Sequence, residues 1–436
     1  MQLKTKLFIE KKGINNGIKL IIPAKFSSLH YNVERNSSWA YIFGGSSYIF
    51  LSLLYKLFKV KKSCQFNSNY DVLFYVPNIK YERFLEALIK SSKISYLIIS
   101  EENFKNNIIS VDSFYRFKNY YYPFILFNLI FKTFIFSIKT SQIKSFKNHY
   151  WHIVSLYRRE IIVKTLLNNI RFKKYFSFHP NDGFHVIIQK FYKNCFQNTY
   201  AIRPTTTTFT PEHKFISTDN LFYKTEKEYK IYKNLHLKDV KNLSKGGLIA
   251  NRIIEKRLEL KTKDYLLFID TCTNIDPKSP EIRRNAVVKI INYFSKKDLN
   301  VLYKFHPGLI KSERKKTERL INNLNYKKIT ILSEEIPWDK VNIAIGFEST
   351  LFYDCFIRNI PVLTLTQTFS LFQNKISEFS DPSILSIKNE DDFSLIDRIL
   401  NDKLFLKYAQ EKQKKWFSKE YNFPNGMLHI IKELVN

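Results

Sequence analysis

The chain has 436 residues, of which 44% are hydrophobic and 16% aromatic, and it carries a formal net charge of +31. Its apolar content is too high for a disordered chain, and its length favours two domains over a single core. The four cysteines (Cys64, Cys195, Cys272 and Cys355) are far apart and form no C-x-x-C pair, so they indicate neither a disulfide framework nor a zinc site.

The positive charge suits an anionic partner, such as nucleic acid, an anionic membrane or an anionic substrate. The lysines spread from end to end, and no zinc-finger spacing or aromatic RNA-binding signature occurs, so we expect no nucleic-acid partner. The first ten residues lack the apolar core of a secretory signal, which favours a cytoplasmic protein. Two apolar segments, 47–58 and 120–138, are expected to be buried or interfacial helices, because Asn128 and Lys132 interrupt the longer one.

The N-terminal half alternates predicted strands and helices, which is typical of a parallel, doubly wound sheet. It opens with a strand at 38–43, a Gly44-Gly45 turn and a helix to about residue 58. Further strands are predicted at 70–76, 94–100, 174–178, 198–203 and 215–222, with helices at 78–90 and over most of 114–170. Another helix begins near Phe184 and is predicted to bury one face, made of Phe184, Ile187, Ile188, Phe191 and Cys195.

The C-terminal half repeats this alternation after a highly charged stretch at 224–263, which we interpret as a connection with some helix. Strands are predicted at 265–270, 300–305, 328–332, 342–346 and 361–365, and helices at 281–294, 312–324, 351–358 and through the tail at 404–434. We therefore predict an α/β protein with two Rossmann-like domains facing a cleft and a C-terminal helix. The predicted domains are 1–235 and 263–436, joined by a linker at 236–262.

Two strand ends of the C-terminal domain carry chemically distinctive residues. One strand contains Lys304 and ends at His306-Pro307-Gly308, and another leads through Glu348 to Ser349 and Thr350 at a helix start. Ligands of open α/β sheets bind at the carboxyl ends of strands. Free N–H groups, hydroxyls and the helix dipole favour phosphate there, and a histidine can donate to it. Either feature alone is explained by a plain helix cap or a surface histidine, but together they favour a phosphate site.

The first strand of the same domain is followed by Asp270, Thr271 and Thr273. Because they leave the sheet at the predicted ligand edge, we expect them to line the same pocket. Glu348 is expected to accept hydrogen bonds from ribose hydroxyls.

Three elements together resemble a known family: the Lys-x-His-Pro strand end, Ile336-Pro337 about thirty residues later, and the Gly-x-x-Ser-Thr helix start. They are similar to bacterial sialyltransferases and polysialyltransferases of the GT-B glycosyltransferase class, over about 304–365. They also look somewhat like the polyol-phosphate polymerases of teichoic-acid synthesis. The resemblance implies a CMP-activated sugar as donor, with His306 contacting and helping to expel its phosphate and Ser349 and Thr350 holding the phosphate oxygens. It implies no metal and no cofactor.

The same families carry an acidic-acidic-Gly motif in the N-terminal half, whose first carboxylate is the general base. The counterpart here is Asn181-Asp182-Gly183, in which Asn181 replaces the first acidic residue. Asp182, His179 and His185 therefore all stay open as the base, and an ordinary Asp-Gly turn explains the motif equally well.

The resemblance predicts an inverting, metal-independent glycosyltransferase that moves sialic acid or a related nonulosonate to a lipooligosaccharide or capsule acceptor. Basic and aromatic surfaces would suit a peripheral enzyme at the inner face of the cytoplasmic membrane. The alternatives are a polyol-phosphate or other nucleotide-sugar transferase of the same fold, a sugar-nucleotide epimerase, and a non-enzymatic basic protein that binds membrane or nucleic acid.

Overall fold

The computed structural model describes the two sheets of the chain and most of the helices around them. The described residues are 69–77, 85, 88–89, 94–100, 108–110, 159–246 and 265–435, with gaps at 160–162, 165, 169, 181, 204–207, 210–215, 236, 238, 272–278, 307–308, 310, 334, 348, 366–375, 378, 389 and 422–425. The predicted strand–turn–helix at 38–58 and nearly all of the predicted helical region at 114–170 lie outside these residues.

The first sheet has seven parallel strands. They are β1 (Asn69–Tyr75), β2 (Tyr96–Ser100), β3 (Ile108–Ser110), β4 (Arg171–Ser177), β5 (Asn198–Ile202), β7 (Ser217–Tyr223) and β8 (Asp239–Lys245), while the short β6 (Thr208–Phe209) lies outside this sheet. The strand order is β3-β2-β1-β4-β5-β7-β8. The central β1 is fully buried from Val72 to Tyr75, as expected for a parallel strand covered on both faces.

The second sheet has six parallel strands in the order β11-β10-β9-β12-β13-β15. They are β9 (Tyr265–Ile269), β10 (Asn300–Lys304), β11 (Ile329–Leu332), β12 (Val341–Gly346), β13 (Val362–Thr364) and β15 (Leu385–Ser386), and β14 (Ile376–Ser377) pairs with β6 instead. The predicted fold of two Rossmann-like α/β units is therefore confirmed.

Eight α-helices are described between and after these strands. They are α1 (Gly183–Ile187), α2 (Glu226–Asn234), α3 (Ser279–Lys296), α4 (Lys311–Asn323), α5 (Leu351–Ile357), α6 (Ser394–Asn401), α7 (Lys403–Glu420) and α8 (Gly426–Val435). In the described part of the chain, no helix is both long enough and apolar enough to cross a membrane.

The helix that begins at α1 does not stay α-helical, which corrects the predicted buried face. It continues as a π-helical turn over Ile188–Tyr192 and a short 3₁₀ turn over Lys193–Cys195. A π turn needs more residues than an α turn, so it shifts the positions that follow around the axis. Ile188 stays buried, but Phe191 is 40% exposed and Cys195 is exposed.

The charged stretch after residue 224 contains more structure than a linker. It holds α2, capped by Thr225, and then β8 at the edge of the first sheet, within the range predicted as linker. The sequence of β8 is polar because an edge strand exposes much of its surface. Its residues therefore do not show the alternation of apolar and polar side chains that is expected of a half-buried strand.

The last helix, α8, packs on the first sheet rather than on the second. Ile430 and Leu434 belong to the core that contains Phe74 and Phe176. Lys174 Nζ donates to the carbonyls of Glu433 (2.9 Å) and Leu434 (3.2 Å), two of the carbonyls that a helix end leaves without intrahelical partners. The end of the predicted C-terminal domain thus completes the core of the N-terminal one.

Candidate active site

The carboxyl ends of the central strands in the second sheet are aligned. Lys304 of β10 and Gly346 of β12 both lie in register with Ile269 of β9. Hydrogen bonds continue this alignment past the strands, from Asp270 N to Lys304 O (3.0 Å) and from Phe347 N to Ile269 O (3.2 Å). The segments that start at Asp270, at residue 305 and at Phe347 therefore leave the sheet at one edge, where open α/β sheets bind ligands.

Gly346 allows β12 and β9 to approach closely at this edge. A Cβ added there would overlap the carbonyl oxygen of Ile269 and lie 2.9 Å from that residue's own Cβ. Only glycine fits such a contact between two backbones, so the glycine of the Gly-x-x-Ser-Thr element has a packing role of its own.

Ser349 and Thr350 lie immediately before α5, as predicted, and their two hydroxyls differ in their contacts. Ser349 is 8% exposed, and its Oγ accepts a hydrogen bond from Leu351 N at 3.2 Å. The hydroxyl of Thr350, the residue at the N-cap position, makes no capping hydrogen bond, and Thr350 is half-buried. Thr350 is therefore the better placed of the two to offer its hydroxyl to a ligand.

Lys304 and His306 are both half-buried at the end of β10. Burial lowers the pKa of Lys304, Arg314 lowers it further, and Glu335 opposes the shift. The turn after the strand is closed by Leu309 N donating to His306 O at 3.0 Å. Pro307 and Glu348, which were also predicted to bind the donor, lie outside the described residues.

Asp270 has a structural role that the sequence did not suggest. Its carboxylate is fully buried and makes a bidentate pair with Arg283, with Nε–Oδ1 at 2.9 Å and Nη2–Oδ2 at 2.8 Å. Tyr303 OH donates to Oδ2 at 2.7 Å, and Thr271 N donates to Oδ1 at 2.8 Å. Burial raises the pKa of Asp270, while Arg283 and these hydrogen bonds oppose the rise.

The expectation that Asp270 lines the donor pocket therefore needs correction. A side chain with no exposed surface and both oxygens engaged supports the strand end rather than touching a ligand. Thr271 is 5% exposed, so its contribution at the edge is mainly its backbone, and Thr273 lies outside the described residues.

In the N-terminal half, Asp182 lies just after β4 and caps α1. Its Oδ1 accepts hydrogen bonds from Phe184 N (2.8 Å) and Tyr75 OH (2.7 Å) and lies 3.5 Å from Arg159 Nη1. All three contacts are made to Oδ1, and none of them involves Oδ2. The side chain of Asp182 keeps 20% of its surface exposed. Asp182 thus combines a fixed carboxylate with access to solvent.

The charge of Asp182 is stabilised against its burial. Burial is the largest influence and favours the neutral acid, but Arg159 and His179, with the Tyr75 and Phe184 hydrogen bonds, outweigh it and lower the pKa of Asp182. The carboxylate is therefore ionised at neutral pH, as a general base must be before it accepts a proton.

The two histidines considered as alternative bases differ sharply in access. His179 is half-buried beside Asp182, with its backbone N donating to Ser177 Oγ at 3.1 Å. His185 is fully buried, its Nε2 lies 2.7 Å from Ser217 O, and burial lowers its pKa to about 4. A neutral imidazole with no exposed surface cannot reach an acceptor, so Asp182 and His179 remain the candidates.

Contacts between the halves join the two carboxyl edges. Lys224, the first residue after β7, donates from Nζ to Tyr353 OH of α5 at 2.9 Å. The antiparallel pair β6–β14 makes the same connection, because β6 follows β5 and β14 follows β13. In both links, a segment that follows a strand of the first sheet contacts a segment that follows a strand of the second sheet. The carboxyl edges of the two sheets therefore face each other.

Several residues of this region carried no signal in the sequence. Tyr75 and Arg159 reach Asp182 from 107 and 23 positions away, and Lys224 reaches α5 from the other half. Arg203 follows β5, next to β4, and its buried Nη1 has no hydrogen-bond partner among the described residues. An unpaired buried N–H costs about 1–3 kcal/mol, so Arg203 is a candidate contact for an anionic group of a substrate.

Among the residues that the structure describes, no three His, Cys, Asp or Glu side chains are grouped so that they would hold a metal ion.

Comparisons with known proteins give distant likenesses in structure and none in sequence. No family model matches the chain, and no curated protein matches it. The chain is similar to MnaA of S. aureus in a co-structure with UDP, with 12% identity, coverage of 84% of this chain and 95% of that chain, and a TM-score of 0.49. It is also similar to α,α-trehalose 6-phosphate synthase from Burkholderia multivorans, with 9% identity, coverage of 84% and 96%, and a TM-score of 0.48.

A third similar structure is the wall teichoic acid polymerase TagF with CDPG. It is 11% identical, the match covers 91% of this chain and 98% of that chain, and the TM-score is 0.46. At such identities a likeness does not carry function from one protein to another. The resemblance to sialyltransferases stays a prediction.

Proposed function

We propose that this protein is a glycosyltransferase that binds a nucleotide-activated sugar at the carboxyl edge of its second sheet and an acceptor at the carboxyl edge of its first. The contact that carries the proposal is the hydrogen bond from Lys224 Nζ to Tyr353 OH. It joins the segment after β7 to α5, the helix that Ser349 and Thr350 immediately precede, and so supports a cleft with the donor residues on one side and Asp182 on the other.

The donor phosphate is assigned to the ends of β10 and β12. His306 donates a hydrogen bond to a phosphate oxygen, Thr350 offers a hydroxyl that makes no capping hydrogen bond, and Lys304 adds positive charge nearby. These groups stabilise the charge that develops on the phosphate as it leaves. The proposal assigns this task to side chains rather than to a metal.

The transfer step itself needs a base on the opposite side of the donor. In the proposed step, Asp182 takes the proton of an acceptor hydroxyl, and the oxygen forms a bond to the anomeric carbon. The bond from that carbon to the phosphate oxygen breaks, and its electron pair leaves with the nucleotide. Attack from the face opposite the leaving group inverts the configuration.

The identity of the sugar rests on the sequence resemblance. We propose a CMP-activated sialic acid or related nonulosonate as donor and a surface glycan or glycolipid as acceptor. A peripheral position at the inner face of the cytoplasmic membrane belongs to the same proposal, since a lipid-linked acceptor would be presented there.

Nucleotide-dependent thermal stabilisation tests the donor site. CMP, CDP, UDP and GDP are added separately to the wild-type protein, to His306→Ala and to His429→Ala, a control at an exposed histidine of α8. CMP should stabilise the wild type and the control, by about 2.7 kcal/mol at a hundredfold excess over Kd, and should not stabilise His306→Ala.

Other outcomes of this assay would point elsewhere. Preferential stabilisation by UDP or CDP would redirect the proposal to another sugar transferase or to a polyol-phosphate transferase. Equal stabilisation of the wild type and His306→Ala would remove His306 from the site, and no response to any nucleotide would contradict the proposed function.

A further inference from the structure

Two of the large hydrophobic side chains that the described residues leave exposed lie one turn apart on α7. Leu404 is 81% exposed and Tyr408 is 53% exposed, whereas most apolar side chains of the two sheets are buried. Single exposed hydrophobic residues are ordinary, but an adjacent pair on one helix face forms a small apolar patch. We name this patch with its flanking lysines the α7 surface.

Lysines lie on both sides of the apolar pair, and Glu411 lies one turn beyond it on the same face. The exposed lysines of α7 are Lys403, Lys407, Lys414, Lys415 and Lys419. At 100° per residue, Lys407 and Lys414 flank the Leu404–Tyr408 stripe on one side, and Lys412 and Lys419 flank it on the other. Glu411 is the exposed acidic residue of the helix, and it lies 4.0 Å from Lys407.

The opposite face of α7 is firmly attached to the second domain. Ala409, Gln413 and Trp416 are buried, and the Gln413 side chain makes two hydrogen bonds to the backbone of Val362 (2.9 and 2.8 Å). The helix also starts with a strong cap, because Asp402 Oδ1 accepts from Leu404 N and Phe405 N. The α7 surface is thus ordered before a partner binds, so binding carries no free-energy cost for ordering this helix.

We propose that the α7 surface binds an anionic lipid bilayer, with Leu404 and Tyr408 entering the headgroup region and the lysines contacting lipid phosphates. An apolar stripe flanked by lysines is the arrangement that interfacial helices use. The proposal deepens the peripheral location proposed above and names the surface responsible. It does not depend on the donor site, so failure of the vesicle assay would leave the nucleotide assay unaffected.

Charge argues for this partner over two others. A second copy of the chain would bring five exposed lysines against five more in a protein of net charge +31, and such contacts repel. Nucleic acid would attract the lysines but gives no reason for two exposed apolar side chains at their centre, since base stacking favours aromatic rings over leucine.

Co-sedimentation with vesicles tests the proposal on the full chain. Vesicles of phosphatidylcholine alone are compared with vesicles in which roughly a third of the lipid is phosphatidylglycerol. The wild type should bind only the anionic vesicles. Leu404→Ser/Tyr408→Ser should bind them about tenfold more weakly, whereas Phe191→Ser, which removes an exposed apolar side chain elsewhere, should bind like the wild type.

A second pair of variants separates the α7 surface from the general positive charge. Lys407→Glu/Lys414→Glu should weaken binding by roughly 25-fold or more, because each lysine at an anionic surface contributes about fivefold. Lys315→Glu/Arg319→Glu makes the same change of charge on exposed positions of α4 and should have a much smaller effect. Circular dichroism of each variant confirms that it is folded.

Three results would overturn the proposal. Equal losses in the two charge-reversal pairs would mean that diffuse charge, not the α7 surface, holds the protein on the vesicles. Absence of binding by the wild type would reject a membrane partner altogether. Self-association of the wild type that is lost in Leu404→Ser/Tyr408→Ser would assign the surface to a second copy of the chain.

Discussion

Lys224 Nζ donates a hydrogen bond to Tyr353 OH at 2.9 Å in an environment where both residues are buried, with 3% and 2% of their surfaces exposed. Lys224 directly follows a strand of the first sheet, and Tyr353 lies in the first turn of the helix that begins at the proposed donor site. A movement that separates the segment after β7 from α5 must stretch or break this contact. The relative position of the two carboxyl edges is therefore linked to this buried hydrogen bond, together with the β6–β14 pair.

Tyr353→Phe should lower the free energy of unfolding by about 1–3 kcal/mol, because it removes a partner from a buried amine. The ring and its packing against Phe379 and Tyr421 are retained. Urea denaturation measures the change, and Tyr408→Phe, at an exposed hydroxyl, is the control. A loss of less than a few tenths of a kcal/mol would mean that the contact does not hold the edges together.

Asp182→Asn should reduce sugar transfer by about 10²–10⁴-fold while leaving nucleotide stabilisation unchanged. The amide keeps the shape of the side chain but cannot accept the proton of an acceptor hydroxyl. Asp239→Asn, at an exposed position of β8, serves as the control. If Asp182→Asn keeps its activity and His179→Ala loses it, the imidazole of His179 is the base instead.

Asp270→Asn should destabilise the protein by about 3–5 kcal/mol, because it leaves the fully buried Arg283 without its counter-charge. Glu390→Gln, which breaks the exposed pair with Lys289, should cost less than about 1 kcal/mol. Denaturant unfolding compares the two. A double variant, Asp270→Leu/Arg283→Met, should cost less than Asp270→Asn, since it removes both charges together.

The buried His185 should make stability fall as the solution becomes acidic. Its pKa is about 4 in the folded protein and 6.5 in the unfolded chain, so between these values the unfolded chain binds a proton that the folded protein does not. Stability is therefore full above about pH 6.5 and declines toward pH 4, by about 3 kcal/mol from this group.

Unfolding of His185→Gln measured between pH 7 and pH 4 tests this assignment. The variant should lose less stability on acidification than the wild type, while His429→Gln should follow the wild-type profile. Parallel profiles for the wild type and His185→Gln would show that His185 already titrates normally in the folded protein.

The strand ends of the second domain could be predicted because their signals are local. Buried apolar runs identify β9, β10 and β12, and the residues that follow each run must then lie at one edge of a parallel sheet. The position of Ser349 and Thr350 just before α5 followed from the same reasoning. These predictions needed only the spacing of apolar residues within each element and the identity of the residues that directly follow it.

The parts that could not be predicted depend on contacts between distant residues. Nothing near Asp182 in the sequence points to Tyr75 or Arg159, and nothing near Asp270 shows that its carboxylate turns inward to Arg283 rather than outward. The π turn at Ile188–Tyr192 was not predicted for another reason, because the spacing of its apolar residues also fits an ordinary α-helix. The polar β8 resembled a loop because an edge strand is only half covered.

The position of α8 has a consequence for how the chain folds as it is made. Ile430 and Leu434 complete a core whose β-strands were synthesised long before, and the whole second domain is made in between. About 250 residues separate β4 from α8, which at ribosomal rates is roughly 12 to 50 seconds of synthesis. During that interval the part of the core that Ile430 and Leu434 fill lacks α8, so the N-terminal core is completed only after the C-terminal domain has been translated.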